Sequence, residues 1–175
     1  MYLNHEVSNM PHLVKPQACH RQAHLEYLHE WGEEEIVPMS SSLGDQSFEQ
    51  WLEQLARYET DPPTDFVPAS TWFLMEGERI LGAVNIRHQL NDYLLRAGGH
   101  IGYGIRPSER RRGLAKLQLA LALPLAKELG LDRVLITCDR DNLGSAKTIL
   151  ANGGVLENEV EDRGDIVQRY WVKLV

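Results

Sequence analysis

No stretch of this sequence approaches the ~18 continuous apolar residues of a membrane helix, so no membrane association is expected. Cysteine is scarce. Only Cys19 and Cys138 occur, and their spacing calls for no disulfide framework. Cys138 lies in the apolar run Val134 to Cys138, where a buried thiol acts as a small hydrophobe. The opening stretch MYLNHEVSNMPHLVKP has neither the basic lead nor the apolar core of a signal peptide, which makes the cytoplasm the expected location. Positive charge is in the minority, with 18 Lys and Arg against 25 Asp and Glu and a net charge of -7. That balance argues against general affinity for nucleic acid or anionic lipid. The phosphate-binding pattern Gly-x-x-x-x-Gly-Lys-Ser/Thr is missing, as are internal repeats and linkers. At 175 residues the chain suits one domain, 1–175, with 1–11 a loosely ordered N-terminal segment.

What is there reads as alternating strands and helices. Residues 12–16 suggest a short strand closed by proline, and Gln17 to Trp31 a helix. A polar loop, 32–45, carries the acidic run Glu33-Glu34-Glu35. Ser47 and Gln50 match a capping box ahead of a helix whose Phe48, Trp51, Leu52, Leu55 and Tyr58 share one face. Residues 70–75 and 80–88 flank the turn EGER as a β-hairpin. A helical turn at 90–95, a glycine-rich strand at 98–106, a helix from Arg110 to Leu129 with Pro124 inside, and a strand at 133–138 follow. Asn142 to Asn152 is a helix closed by Gly153, and two strands around a DRGD turn finish the chain. The pattern implies an α/β fold, a central sheet covered by helices on both faces.

The stretch RPSERRRGLA, 106–115, is the anomaly in an acidic chain. Three arginines precede a glycine at the mouth of an apolar helix. The first turn of a helix leaves its backbone N–H groups unpaired and pointing along the axis, which suits a phosphate. A glycine lets a ligand oxygen approach that backbone, Ala115 keeps the next position small, and flanking arginines match phosphate geometry. The pattern therefore points to an anion cradle for one ligand. The glycines at 99, 102 and 104 lie within a strand and end in Arg-Pro, which is wrong for a dinucleotide-binding turn.

With these residues the chain resembles the GNAT superfamily of acetyl-CoA-dependent N-acyltransferases over roughly residues 12–174. The signature Gln/Arg-x-x-Gly-x-Gly/Ala is present as Arg110-Arg111-Arg112-Gly113-Leu114-Ala115, after the strand IGYGIRP and before Asn142, Ser145 and NGG. The resemblance implies a mixed, mostly antiparallel central sheet, splayed in the middle between the strands at 98–106 and 133–138. It implies acetyl-CoA as co-substrate and no metal, with the pantetheine arm in the gap, paired with Ile105. The amides from Arg111 through Gly113 and Leu114 to Ala115 would hold the diphosphate. Arg110, Arg112 and Lys116 would stand around it, and Asn142 and Ser145 along the pantetheine. The implied partner is a small-molecule or peptide amine. Relatives often pair through their last strands, which raises the expectation of a homodimer.

The implied reaction is attack of an amine on the thioester. An alkylamine of pKa about 10.4 is neutral in about one part in 2,500 at pH 7, a cost of roughly 4.6 kcal/mol. A base therefore helps. His100 is the candidate, standing where relatives of the ribosomal-protein-acetylating type, whose strand also reads IGY, often carry glutamate. A strand histidine that only hydrogen-bonds a neighbour fits the same residues. Tyr103 is a second polar candidate on that strand. Many family members place a tyrosine in the helix after Asn142 as the acid for the thiolate; that position here is Ile149. His20 and His24 beside Cys19 lack the further ligand a zinc site needs. Glu33 to Glu35 would border the acceptor. A longer-chain acyl- or aminoacyl-transferase, and a CoA-binding sensor without turnover, are the alternative readings.

Overall fold

Ser47 and Gln50 close the expected capping box. The Ser47 hydroxyl accepts from the Gln50 backbone amide (3.1 Å), and the Gln50 side-chain oxygen accepts from the Ser47 backbone amide (2.9 Å). The helix they start, residues 48–58, buries Phe48 and Trp51. Replacing Ser47 with alanine should lower the unfolding free energy by ~1 kcal/mol in urea titrations, because an amide of the first turn loses its partner.

The computed structural model describes residues 10–175. Most of the N-terminal segment expected to be loosely ordered thus lies outside the described residues. The elements are β1 (His12–Val14), α1 (Arg21–Trp31), α2 (Phe48–Tyr58), β2 (Ala69–Glu76), β3 (Arg79–Arg87), β4 (Ile101–Ile105) and α3 (Leu114–Glu128). After them come β5 (Arg133–Asp139), α4 (Leu143–Ala151), β6 (Val155–Asp162) and β7 (Asp165–Lys173). The β6–β7 turn has Arg163 and Gly164 both at positive φ (52° and 92°), the mirror-type turn that suits the twist of paired strands.

Two boundaries differ from expectation. Helix α3 begins at Leu114, not Arg110, because Arg111 (φ 62°) and Gly113 (φ 77°) are left-handed and cannot sit inside a right-handed helix. Strand β4 begins at Ile101, since residues 94–98 form a π-helical turn and Gly99 is also left-handed (φ 66°). Pro124 sits within α3 on an exposed position, and so does Ala120, whose carbonyl has lost its donor to the ring.

The splay is complete. β1-β2-β3-β4 form one antiparallel sheet and β5-β7-β6 another. They join at His100: its amide donates to the Leu135 carbonyl (2.6 Å), and its imidazole Nδ1 accepts from the Leu135 amide (2.8 Å). Strand alternation divides the core. Trp72, Val84 and Ile86 face Leu119, Ala122 and Ile149 of α3 and α4, whereas Phe73, Met75 and Ala83 face Tyr27, Trp31 and Trp51 of α1 and α2.

Candidate active site

The ladder between β3 and β4 determines which backbone groups face the gap. Arg87 donates to the His100 carbonyl and Arg106 to the Leu81 carbonyl, each at 2.8 Å, at the two ends of one antiparallel register. Paired residues in such a ladder alternate, so Gly102 and Gly104 point their amides and carbonyls at β3. Ile101, Tyr103 and Ile105 point theirs the other way, into the gap beside β5. An extended ligand can add to that edge as a strand would.

Past Ile105 the chain makes a 3₁₀ turn, Pro107–Glu109, and then the left-handed residues Arg111 and Gly113. Alternating right- and left-handed residues can curl successive amides into a nest for an anion; here Arg110 is extended and the left-handed pair redirects the backbone into α3. α3 starts directly behind it, adding the unpaired amides and positive dipole end of its first turn. A Cβ on Gly113 would meet no protein atom within 4 Å. Backbone conformation, not crowding, requires glycine here, and the space above the turn is open.

The three arginines have three different tasks. Arg112 ion-pairs with Glu109, which also binds Arg79 (3.0 Å). In this arrangement its guanidinium braces the turn and lies outside the cleft lining, whereas it was expected to stand around the diphosphate. Arg110 reaches across to the acidic loop, pairing with Glu34 (2.7 Å), stacking on Trp31 (5.1 Å to the ring centre) and donating to the Ile105 carbonyl (3.3 Å). Arg111 lines the cleft. Behind them Arg106, buried, pairs with Glu30 (2.7 Å) and with Ser108 holds its carboxyl down at about 2, tying the end of α1 to the turn.

These elements enclose a cleft of about 580 Å³. Its floor carries Ile105, Gly113 and Ala115, and its far wall carries Asn142, Ser145 and Thr148 of the α4 region. Asn142 caps α4, its side-chain oxygen accepting from the Ser145 amide (3.0 Å). That leaves Ser145 on the first turn, where its hydroxyl meets the Tyr103 hydroxyl at 2.8 Å. Burial pushes the Tyr103 phenol up to about 12, against the pull of the Ser145 hydrogen bond. Tyr103 thus keeps its proton at neutral pH. Leu114 and Lys116 also line the cleft, so Arg112 alone among the expected coenzyme-binding residues stays out of it.

His100, expected as the base, is not in the cleft. It lies 5% exposed at the sheet junction, with Nδ1 occupied by the Leu135 amide. Burial and the Arg87 charge push its pKa down to about 4. Ile149, at the family's tyrosine position, is fully buried in the core. His24 and His20 are both in structural use, His24 Nε2 donating to the Ser41 carbonyl (2.7 Å) and His20 Nδ1 accepting from the Gln17 amide (3.0 Å). Sequence reasoning missed Trp31, Val37 and Gly104 as cleft residues. Only Gly104 carried a signal, as a glycine inside a strand.

The acetyltransferase (GNAT) domain family matches residues 19–155, most of the chain. The chain belongs to that family. A search of curated proteins found no match. Among solved structures, an acetyltransferase from Salmonella typhimurium that modifies the N-terminal serine of a 50S ribosomal subunit protein superposes with TM-score 0.66 at 15% identity. The alignment covers 97% of this chain and 98% of that one. A ribosomal-protein alpha-N-acetyltransferase in complex with coenzyme A gives 0.65 at 18%, covering 96% of each. A spermidine/spermine N-acetyltransferase from Vibrio cholerae gives 0.62 at 16%, covering 94% and 95%. This GNAT protein is an acetyl-CoA-dependent N-acetyltransferase. Among the described residues, no helix is long and apolar enough to cross a membrane.

Proposed function

We propose that this acetyltransferase acylates a cationic primary amine, a small molecule or the amino end of a peptide, by direct attack on acetyl-CoA. One observation carries the reading: the open left-handed turn at 111–113, the unpaired edge of β4 and the Tyr103–Ser145 pair all border one cleft. The amides from Arg111 to Ala115 take the diphosphate, with Lys116 adjacent. Tyr103 and Ile105 offer backbone groups to the pantetheine amides, while Asn142 and Ser145 flank the arm.

The acceptor end carries Glu34 and Glu35 beside Trp31. Glu34 is paired with Arg110, whereas Glu35 has no ion-pair partner among the described residues. Glu35 is therefore assigned to the incoming ammonium. The ammonium gives up one proton to solvent, the freed lone pair forms the new C–N bond, and the nitrogen gives up a second proton to solvent as the C–S bond breaks. The departing thiolate takes the Tyr103 proton, which Ser145 and solvent restore. A tyrosine held protonated beside a hydroxyl suits that role.

The test is thiol release from acetyl-CoA against amino acids, polyamines, aminoglycosides and N-terminal peptides. Turnover with at least one amine is expected. On that amine, Tyr103→Phe should reduce kcat about 100-fold with KM for acetyl-CoA little changed. Unchanged kcat removes Tyr103 as the acid. Coenzyme binding without turnover across the panel would favour the sensor reading, which draws on the isoleucine at 149.

A further inference from the structure

Two sheets that part must have something that stops them pairing. At this junction the chain places a side chain where a strand would place a carbonyl. The Leu135 amide donates to His100 Nδ1 (2.8 Å), the His100 amide donates to the Leu135 carbonyl (2.6 Å), and the His100 carbonyl accepts from Arg87 (2.8 Å). All three groups of His100 are thereby spent on both sheets at once. The approach is close: a Cβ on Gly99 would lie 2.7 Å from the Leu135 carbonyl oxygen. The Arg87 guanidinium donates to the Gly98 and Gly99 carbonyls at 3.0 Å each, and Thr137 donates to the Ala97 carbonyl (2.7 Å). The carbonyls of Ala97, Gly98, Gly99 and His100 each already accept a hydrogen bond from elsewhere, and β4 next turns the edge of Ile101, Tyr103 and Ile105 to the gap.

We propose that His100 is a positioning residue: its imidazole satisfies Leu135, ends pairing between the sheets there, and so holds open the slot that receives the pantetheine arm. The proposal rests on the coenzyme-binding reading above. A buried amide without a partner is costly, so without the imidazole the Leu135 amide has to seek a carbonyl across the junction, and the gap-facing β4 edge is the one whose groups are unpaired. Pairing then extends into the slot, and the edge at Tyr103 and Ile105 becomes less open to a ligand. The imidazole acts as an acceptor only, so an asparagine, which also presents an acceptor two bonds from Cβ, can replace it.

Coenzyme A titrations by calorimetry on wild type, His100→Asn and His100→Leu test this, with melting curves showing that each is folded. Wild type should bind. His100→Leu should bind at least about tenfold more weakly, and His100→Asn should return to within about threefold of wild type. Equal affinity in all three, or an asparagine variant as weak as the leucine one, overturns the proposal. Failure of the wild type to bind would instead sink the coenzyme reading itself. Should His100→Leu not fold, nitrogen NMR of the wild-type imidazole decides. A proton on Nε2 with coupling from Nδ1 to the Leu135 amide is expected, and a proton on Nδ1 overturns the assignment.

Discussion

At about pH 4.5 the protein is expected to be roughly 5 kcal/mol less stable than at about pH 7.5, with His24 and His100 each supplying about half. Both are pushed by burial from 6.5 down to about 4. His24 is fully buried among the rings of Trp51 (4.4 Å), Phe73 (5.1 Å) and Phe48 (5.5 Å). Its Nε2 already donates to Ser41, and its Nδ1 is buried without a partner, so the charged form would put a second proton into an apolar pocket. At His100, a proton on Nδ1 would break the Leu135 bond beside two cations, Arg87 on β3 and Arg133 on β5.

The unfolded chain binds both protons as the pH falls through 6.5, whereas the folded protein resists until about 4. Between those values the unfolded state holds more protons. The stabilisation is thus fully present above 6.5 and lost on acidification toward 4. Urea titrations at stepped pH measure it, and His100→Asn should remove about half of the dependence. A flat profile across that window would contradict the burial of both imidazoles. The Glu30 carboxyl, held at about 2 by Arg106, loses its contribution from its ordinary 4.5 downward, so its window opens as the histidine window is closing.

Gly104→Ala should be the most damaging single methyl group in the cleft. A Cβ there would overlap the Val37 carbonyl oxygen and lie 2.9 Å from the Val37 carbonyl carbon and 3.2 Å from Trp31. The obstacle is backbone, which cannot swing aside as a flexible side chain does. The loop carrying Glu34, Glu35 and Val37 must lift from β4, at a cost of ~1–3 kcal/mol. A displacement near 1 Å at a positioning wall costs about 100-fold in rate. The expected result is a melting temperature lower by ~2–10 °C and acetyl transfer reduced by ~10–100-fold. Gly113→Ala, at the diphosphate end of the cleft, is the contrast for stability alone. Its methyl would meet no protein atom, so the ~1–2 kcal/mol of left-handed strain is its cost to folding. A full-rate Gly104→Ala enzyme would mean that the loop does not shape the acceptor side.

Local chemistry settled much of this protein. The capping box at Ser47, the hairpin turn at 77–78, the stop at Gly153 and the glycine-ended arginine run are each specified within a few neighbouring residues, by hydrogen bonds and allowed φ values. That is why the turn at 110–113 and the helix behind it, which line one side of the cleft, were legible before any coordinates. The long-range pairings that complete the cleft were not. His100 meets Leu135 across 35 positions, Tyr103 meets Ser145 across 42, and Val37 closes on Gly104 only once α1 and its loop are packed over β4. A histidine's identity says that it can carry a proton, and its surroundings decide whether it does. Here burial, two arginines and one amide made it a pin between sheets, because a side chain's solvation and partners depend on residues that folding alone brings near.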